Sequence, residues 1–204
     1  MAAAGLEDAL SKAWEDARRL DLAEAAKLAG LPPLDPDGRA WVAMLGRNYS
    51  VDLAKGQVLE GGRDPARGPH ELLVLHYITN AMGIEPTGTL ISFRELRGGA
   101  LYYAAFEGHT IKELVAAFGV SPDGLVGAAK SLGGSRAPVG HVGVTVPALP
   151  RIPVTVAVWR GDSEVPASAN VLFDETIRRY LVTEDIVVLS ELTVGGLVRR
   201  AALR

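Results

Sequence analysis

The sequence predicts an α+β fold: a mixed or mainly antiparallel sheet with helices packed on it, preceded by an N-terminal helical arm. The clearest strand covers Ile152 to Trp159, where alternate residues are apolar and share one face. Helix start and stop signals, such as Pro just inside a start and Gly at an end, lie between the strands. Because strands and helices do not alternate strictly, we do not expect a doubly wound parallel sheet.

The N-terminal half is predicted to begin with one helix over residues 5–30, where apolar residues recur at helical spacing. A hairpin follows over residues 49–59, with Gly56 at its turn. Pro69 suits the first turn of a helix because it lacks the N–H that a helix start leaves unpaired. The helix that it opens, residues 70–82, is apolar almost all round, which is typical of a helix buried at the centre of a domain.

The C-terminal half is predicted to contain the sheet and four further helices. Thr110 and Glu113 have the spacing of a capping box, in which each side chain bonds the other residue's backbone N–H. The other helices are expected to open near Pro122, at Asp174 and at Thr183. The strands are predicted at residues 89–93, 101–106, 141–146, 152–159 and 171–173.

The length of 204 residues allows one large domain or a domain with an appendage. The turn-rich stretch before residue 39 suggests a boundary, so residues 1–38 are predicted to form an N-terminal helical arm. Residues 39–204 would then form the α+β main domain. A single domain over the whole chain is the alternative.

Composition narrows the classes of function. The net charge of -3 gives no basic face for nucleic acid, so no nucleic-acid partner is expected. The sequence contains no cysteine, which excludes an iron–sulfur cluster or zinc held by cysteines of this chain. No secretory signal and no run long enough for a membrane span is recognisable, so a soluble, cytoplasmic protein without a membrane partner is expected.

Two histidines are candidates for metal ligation. His76 lies within the apolar segment 70–82, where it is either a core histidine with a hydrogen-bond partner or the axial ligand of a planar metal cofactor. His109 directly precedes the predicted capping box and is either a solvated loop residue or the alternative axial ligand. The standard motifs for nucleotide phosphates, zinc proteases and serine hydrolases are absent from the sequence.

The segment from Phe93 to Gly99 combines a hydrophobic residue, a charge pair and a double glycine. Arg94 either forms a structural ion pair or binds an anionic ligand in bidentate fashion. Gly98 and Gly99 allow a positive φ or a close backbone approach. Aromatic residues that could line a pocket for a flat ligand, or simply fill the core, are Tyr102, Tyr103, Phe106 and Trp159.

Four carboxylates are candidates for acid–base chemistry or for binding a hard cation: Glu95, Asp162, Glu164 and Asp174. An enzyme would need them to converge in one cleft, with Arg94 as an electrostatic clamp. Local structural roles compete with this hypothesis. Asp162 and Glu164 lie in a predicted turn, and Asp174 stands where a helix cap belongs.

Several blocks of the sequence are similar to the bacterial and archaeal family named domain of unknown function 3786. These blocks are Leu73 to Tyr77, Ile91 to Gly99, Pro150 with Pro153, Trp159 to Glu164, Val171 to Asp174, and Leu181 with Glu184 and Asp185. The resemblance spans residues 41–194. Some members carry an attached Cys-rich iron–sulfur module, and this chain has none because it lacks cysteine. The resemblance therefore suggests a redox or corrinoid protein as partner and supplies no catalytic residues.

Three hypotheses about function follow. The first is a protein that binds a small ligand or a tetrapyrrole or corrinoid cofactor, or that acts as an accessory to such chemistry. The second is an enzyme that uses the acidic residues, and the third is a protein–protein module that docks through its first or last helix. The first hypothesis expects helix 70–82 and the arginine turn to enclose one hollow.

Overall fold

The computed structural model describes residues 3–203, which form two compact units. The first unit comprises the chain up to Glu85 together with residues 149–151 and 179–181. The second unit comprises residues 86–148, 152–178 and the chain from Val182 onwards. The predicted boundary between residues 38 and 39 lies inside the first unit.

The first unit combines three helices with a four-stranded antiparallel sheet in the order β1-β2-β3-β4. Its elements are α1 (Ala3–Ala17), α2 (Leu22–Leu28), β1 (Ala40–Met44), β2 (Arg47–Asp52), β3 (Gln57–Glu60), β4 (Asp64–Pro65) and α3 (Gly68–Thr79). The predicted hairpin is β2 and β3, and Gly56 has a φ of 63° at its turn. Pro69 lies in the first turn of α3, as predicted.

The prediction of one continuous helix over residues 5–30 is wrong, because the chain breaks between α1 and α2. Asp21 is the N-cap of α2, and its carboxylate accepts hydrogen bonds from the backbone N–H groups of Ala23 and Glu24. An aspartate that satisfies these N–H groups stabilises a new helix start. Apolar spacing continues across the break, so periodicity alone does not reveal it.

The second unit is built on a five-stranded antiparallel sheet in the order β5-β9-β8-β7-β6. Its strands are β5 (Leu90–Ser92), β6 (Ser135–Ala137), β7 (Val142–Leu149), β8 (Ile152–Trp159) and β9 (Ser168–Asp174), with Leu149 grouped in the first unit. Its helices are α4 (Gly99–His109), α5 (Ile111–Phe118), α6 (Asp123–Lys130) and α7 (Thr183–Ala202). The predicted α+β class and antiparallel sheet are confirmed.

The segment predicted as a strand over residues 101–106 is part of α4, so that prediction is wrong. The helical conformation turns Phe106 inward, where its ring stacks on Phe93 with 3.9 Å between the ring centroids. The capping box predicted at Thr110 does not form, because the Thr110 hydroxyl donates to the Phe106 carbonyl oxygen instead. Among residues 3–203, no helix has both the length and the apolar character that a membrane crossing requires.

Candidate functional site

The predicted site residues are divided between the two units. His76 lies on α3 in the first unit, whereas the turn that contains Arg94, Gly98 and Gly99 belongs to the second unit. The hollow expected to be shared by helix 70–82 and this turn therefore stays a prediction.

His76 is half-buried on α3, and its neighbour Tyr77 is fully buried. The Tyr77 hydroxyl donates to the Ala29 carbonyl oxygen at 2.6 Å and accepts a hydrogen bond from the Arg151 backbone N–H at 3.0 Å. Burial raises the pKa of Tyr77 well above its usual value, so the hydroxyl remains protonated. These contacts give this part of α3 a structural role in the first unit.

The turn before α4 brings several predicted ligand-binding residues together. The Arg94 guanidinium lies over the Tyr103 ring, 3.7 Å from its centroid, in a cation–π contact. Gly98 has a φ of 74°, which a residue with a side chain rarely adopts. A Cβ atom at Gly99 would lie 1.9 Å from the Phe93 carbonyl oxygen, so this position tolerates only glycine. Both glycines are therefore required by the turn.

Helix α4 exposes an apolar surface that the sequence analysis did not predict. Leu101 is 86% exposed and Tyr102 is 56% exposed. Ala104 and Ala105 are exposed as well, and they share a face with Leu101 at helical spacing. We call these four residues the α4 face. The segment 99–109 contains one formally charged residue, Glu107. This apolar stretch between glycines is the sequence feature from which the exposed surface could have been predicted.

A hollow of about 480 Å³ adjoins the C-terminal end of α4 within the second unit. Its lining combines small or apolar residues with one charge pair at the rim: Gly108, Ala116, Ala117, Val198, Lys112 and Glu113. The helices that contribute to it are α4, α5 and α7. The hollow is shallow and open to solvent.

Glu95 and Asp162, two of the predicted acid–base candidates, each stabilise a local turn. Glu95 closes a capping box with Ser92, and its carboxylate accepts hydrogen bonds from the Ser92 backbone N–H and hydroxyl at 2.7 and 2.8 Å. Asp162 accepts hydrogen bonds from the backbone N–H groups of Val165 and Glu164, both at 2.8 Å. These hydrogen bonds lower the pKa of both carboxyl groups.

Asp174 is buried at the end of β9, where it connects that strand to the segment that leads into β5. Its carboxylate accepts hydrogen bonds from the Gly88 backbone N–H at 2.6 Å and from the Thr176 hydroxyl at 2.7 Å. Burial raises the pKa of Asp174, but the bonds from Thr176, Gly88 and Thr87 outweigh it and lower the pKa overall. Glu164, the fourth candidate, is exposed.

The model of one protein family, Domain of unknown function (DUF3786), matches residues 21–195. The chain belongs to the DUF3786 family. No curated protein and no solved structure matches this DUF3786 member. The family description assigns no activity, so the site in this DUF3786 protein is argued from its own geometry.

The remaining predicted site residues of this DUF3786 protein lie away from the arginine turn. His109 is exposed at the last position of α4, ten residues or about 15 Å of helix beyond Gly99. Trp159 is 37% exposed at the end of β8. Within the described range 3–203, no three His, Asp or Glu side chains are grouped closely enough to hold a metal ion.

Proposed function

We propose that this protein is an accessory protein that binds a partner protein through the α4 face. The observation that carries the proposal is the exposure of Leu101 and Tyr102, which are 86% and 56% accessible on a helix made almost entirely of apolar residues. Single exposed apolar residues are common on protein surfaces, but contiguous apolar patches mark interaction sites. Covering such a patch contributes about 25 cal/mol for each Å² removed from water.

The surroundings of the α4 face support a protein as the bound partner. Arg94 and Arg97 are exposed just before the helix, and in the described part of the chain neither side chain forms an ion pair. Arginine and tyrosine are enriched among the residues that dominate binding energy at protein interfaces. An apolar helix face beside two arginines that form no ion pair in the described part of the chain therefore suits a protein surface that contains apolar and acidic groups.

The α4 face rests on a rigid base. Phe106, on the inner side of α4, stacks on Phe93 and contacts the Phe173 ring edge-on at 6.5 Å between centroids. All three rings are buried. A surface that is already held in place loses little conformational entropy when a partner binds, and this favours association.

The other two hypotheses receive less support from the geometry. An enzyme would need converging acids, whereas Glu95, Asp162 and Asp174 each stabilise their own turn. A tetrapyrrole or corrinoid would need an axial ligand beside the arginine turn, and His109 lies at the opposite end of α4. Binding of such a cofactor, with a redox or corrinoid protein as partner, stays a prediction that absorbance titration with haem and cobalamin tests.

The experiment that tests the proposal is site-specific photocrosslinking in cells that naturally produce the protein. A photoreactive phenylalanine analogue replaces Leu101 in one variant and Val120 in the control, because Val120 is an equally exposed apolar residue, at 91%, outside α4. We expect a discrete protein adduct from position 101 and none from position 120. The adduct should disappear when Tyr102→Glu is added. Absence of any adduct from position 101 would contradict the proposal.

A further inference from the structure

We propose that the α4 face binds an amphipathic helix of the partner protein, with acidic residues along the edges of that helix's apolar side. This inference rests on the proposed function and names the chemistry of the segment that occupies the same surface. Two features select this occupant: the positive charge at the start of α4, and the small side chains along its exposed side.

Three exposed arginines lie near the start of α4. Arg94 and Arg97 directly precede the helix, and Arg178 lies on the segment that follows β9. Arg178 is close to the same turn, because its charge adds to the hydrogen bonds from Ser92 in lowering the pKa of Glu95. None of the three arginines forms an ion pair among residues 3–203. Each can therefore form a charge-assisted hydrogen bond with a carboxylate of a partner.

The exposed acids of the same region leave this end of α4 positive. Glu95 accepts hydrogen bonds within the turn. Glu184 lies in the first turn of α7, next to Thr183, whose hydroxyl donates to the Arg97 carbonyl oxygen. Three exposed arginines therefore face two exposed carboxylates. The dipole of α4 adds positive potential, since its N-cap residue, Gly98, has no side chain to satisfy the N–H groups of the first turn.

The shape of the α4 face favours a helix as its occupant. Ala104 and Ala105 are small and exposed, so a second helix can approach to the usual 8 to 10 Å between axes while Leu101 inserts between its side chains. An extended peptide binds through backbone hydrogen bonds at a sheet edge, and the backbone of a helix interior offers none. A membrane surface suits helices with many large apolar side chains, whereas this face has only Leu101 and Tyr102.

The test measures the binding of two synthetic helical peptides to the full chain by fluorescence anisotropy. Both peptides carry leucines at positions i, i+3, i+4 and i+7, and they differ only in the flanking residues, which are glutamates in one and lysines in the other. We expect the glutamate peptide to bind at least about tenfold more tightly, and added salt to reduce this ratio by screening the charges. Equal affinities, or no binding of the glutamate peptide, would overturn the proposal.

Substitutions locate the bound peptide on the chain. Leu101→Glu should weaken binding of the glutamate peptide at least about tenfold, since it places a like charge in the apolar contact. Arg97→Glu should weaken the glutamate peptide several-fold and strengthen the lysine peptide. The matched control is Arg136→Glu, which makes the same change of charge at an exposed position on β6, the edge strand opposite β5. An equal effect of Arg97→Glu and Arg136→Glu would contradict the site.

The photocrosslink from position 101 separates this inference from the proposed function. Mass spectrometry of the adduct should map the linked residue of the partner to an acidic amphipathic helix. An adduct with a basic segment, or with a second copy of this chain, would overturn the acidic helix and leave the proposed function standing. Absence of any adduct would contradict both. Binding of the chain to phosphatidylserine vesicles, without binding of the glutamate peptide, would replace the partner helix with a membrane surface.

Discussion

Helices α3 and α4 have similar apolar sequences and opposite surroundings. Both lack a polar stripe, and each carries one acid among apolar residues, with two histidines in α3 and one in α4. In α3 the buried residues are Leu72, Leu73, Val74, Leu75, Tyr77 and Ile78. In α4 only Gly99 and Phe106 are buried, and the α4 face is open to solvent. The comparison teaches that an apolar helix can be either a core element or an exposed surface, and that its composition does not distinguish them.

The difference arises from what covers each helix within its own unit. Helix α1 packs on α3, and the Trp14 indole N–H donates to the Glu71 carboxylate at 2.8 Å. Gly68 lies so close to Leu6 that an added Cβ would be 2.7 Å from it. The outer side of α4 instead carries alanines and one leucine, and nothing in the second unit covers them among the described residues.

The largest expected contrast comes from truncating one leucine in each helix. Leu75→Ala should lower the free energy of unfolding by about 2–5 kcal/mol, because it leaves a cavity in a packed core. Leu101→Ala should change it by less than about 0.5 kcal/mol in the monomer. Urea unfolding followed by circular dichroism at low protein concentration measures both. Equal losses would show that α4 is covered in solution even in the single chain.

A smaller contrast is expected from removing one tyrosine hydroxyl in each helix. Tyr77→Phe should cost about 1–3 kcal/mol, because it leaves the Ala29 carbonyl and the Arg151 N–H without their partner. Tyr102→Phe should leave the thermal unfolding midpoint of the monomer unchanged, since Tyr102 is exposed. If the thermal unfolding midpoint of Tyr77→Phe equals that of the parent within error, water takes over the hydrogen bonds that the hydroxyl makes.

The smallest effect concerns Asp174, which fixes the segment leading into β5 and then α4. Its pKa is lower in the folded chain than the usual value of about 3.9, so its charged form stabilises the fold above about pH 4. This contribution is lost as the pH falls through the lower folded pKa. Asp174→Asn should therefore cost about 1–2 kcal/mol at pH 7 and progressively less on acidification.

Urea unfolding at pH 7 and pH 3 measures this dependence. The matched control is Glu164→Gln, since Glu164 is exposed. A gap between parent and Asp174→Asn that stays the same at both pH values would show that the carboxylate charge is not what stabilises this turn.

Much of the fold follows from local sequence signals. The alternation over Ile152 to Trp159 predicts β8, and the glycine at residue 56 predicts the turn between β2 and β3, because both depend on neighbouring residues only. The sequence predicts a strand over residues 101–106 of helix α4, because tyrosine and phenylalanine favour strands. Its conformation is decided by packing of Phe106 on Phe93, a tertiary contact that local preference does not contain.

The candidate site was predictable in part. The sequence pointed to Arg94, Gly98 and Gly99, and the structure brings them together with Tyr103 at the start of α4. Leu101 was not predicted as a site residue, because a strand assignment gives no reason to expect its exposure. The hollow beside Gly108 requires three helices to meet, and no spacing within the sequence contains that information.

Gly99 has a consequence for how this surface can change over evolution. A side chain there would push α4 away from the Phe93 carbonyl oxygen. The shift would change the orientation of all outward-facing residues of α4 together. Residues such as Leu101, by contrast, can be exchanged without repacking anything beneath them. Substitutions can therefore change the chemistry of the α4 face one residue at a time, provided that residue 99 stays glycine.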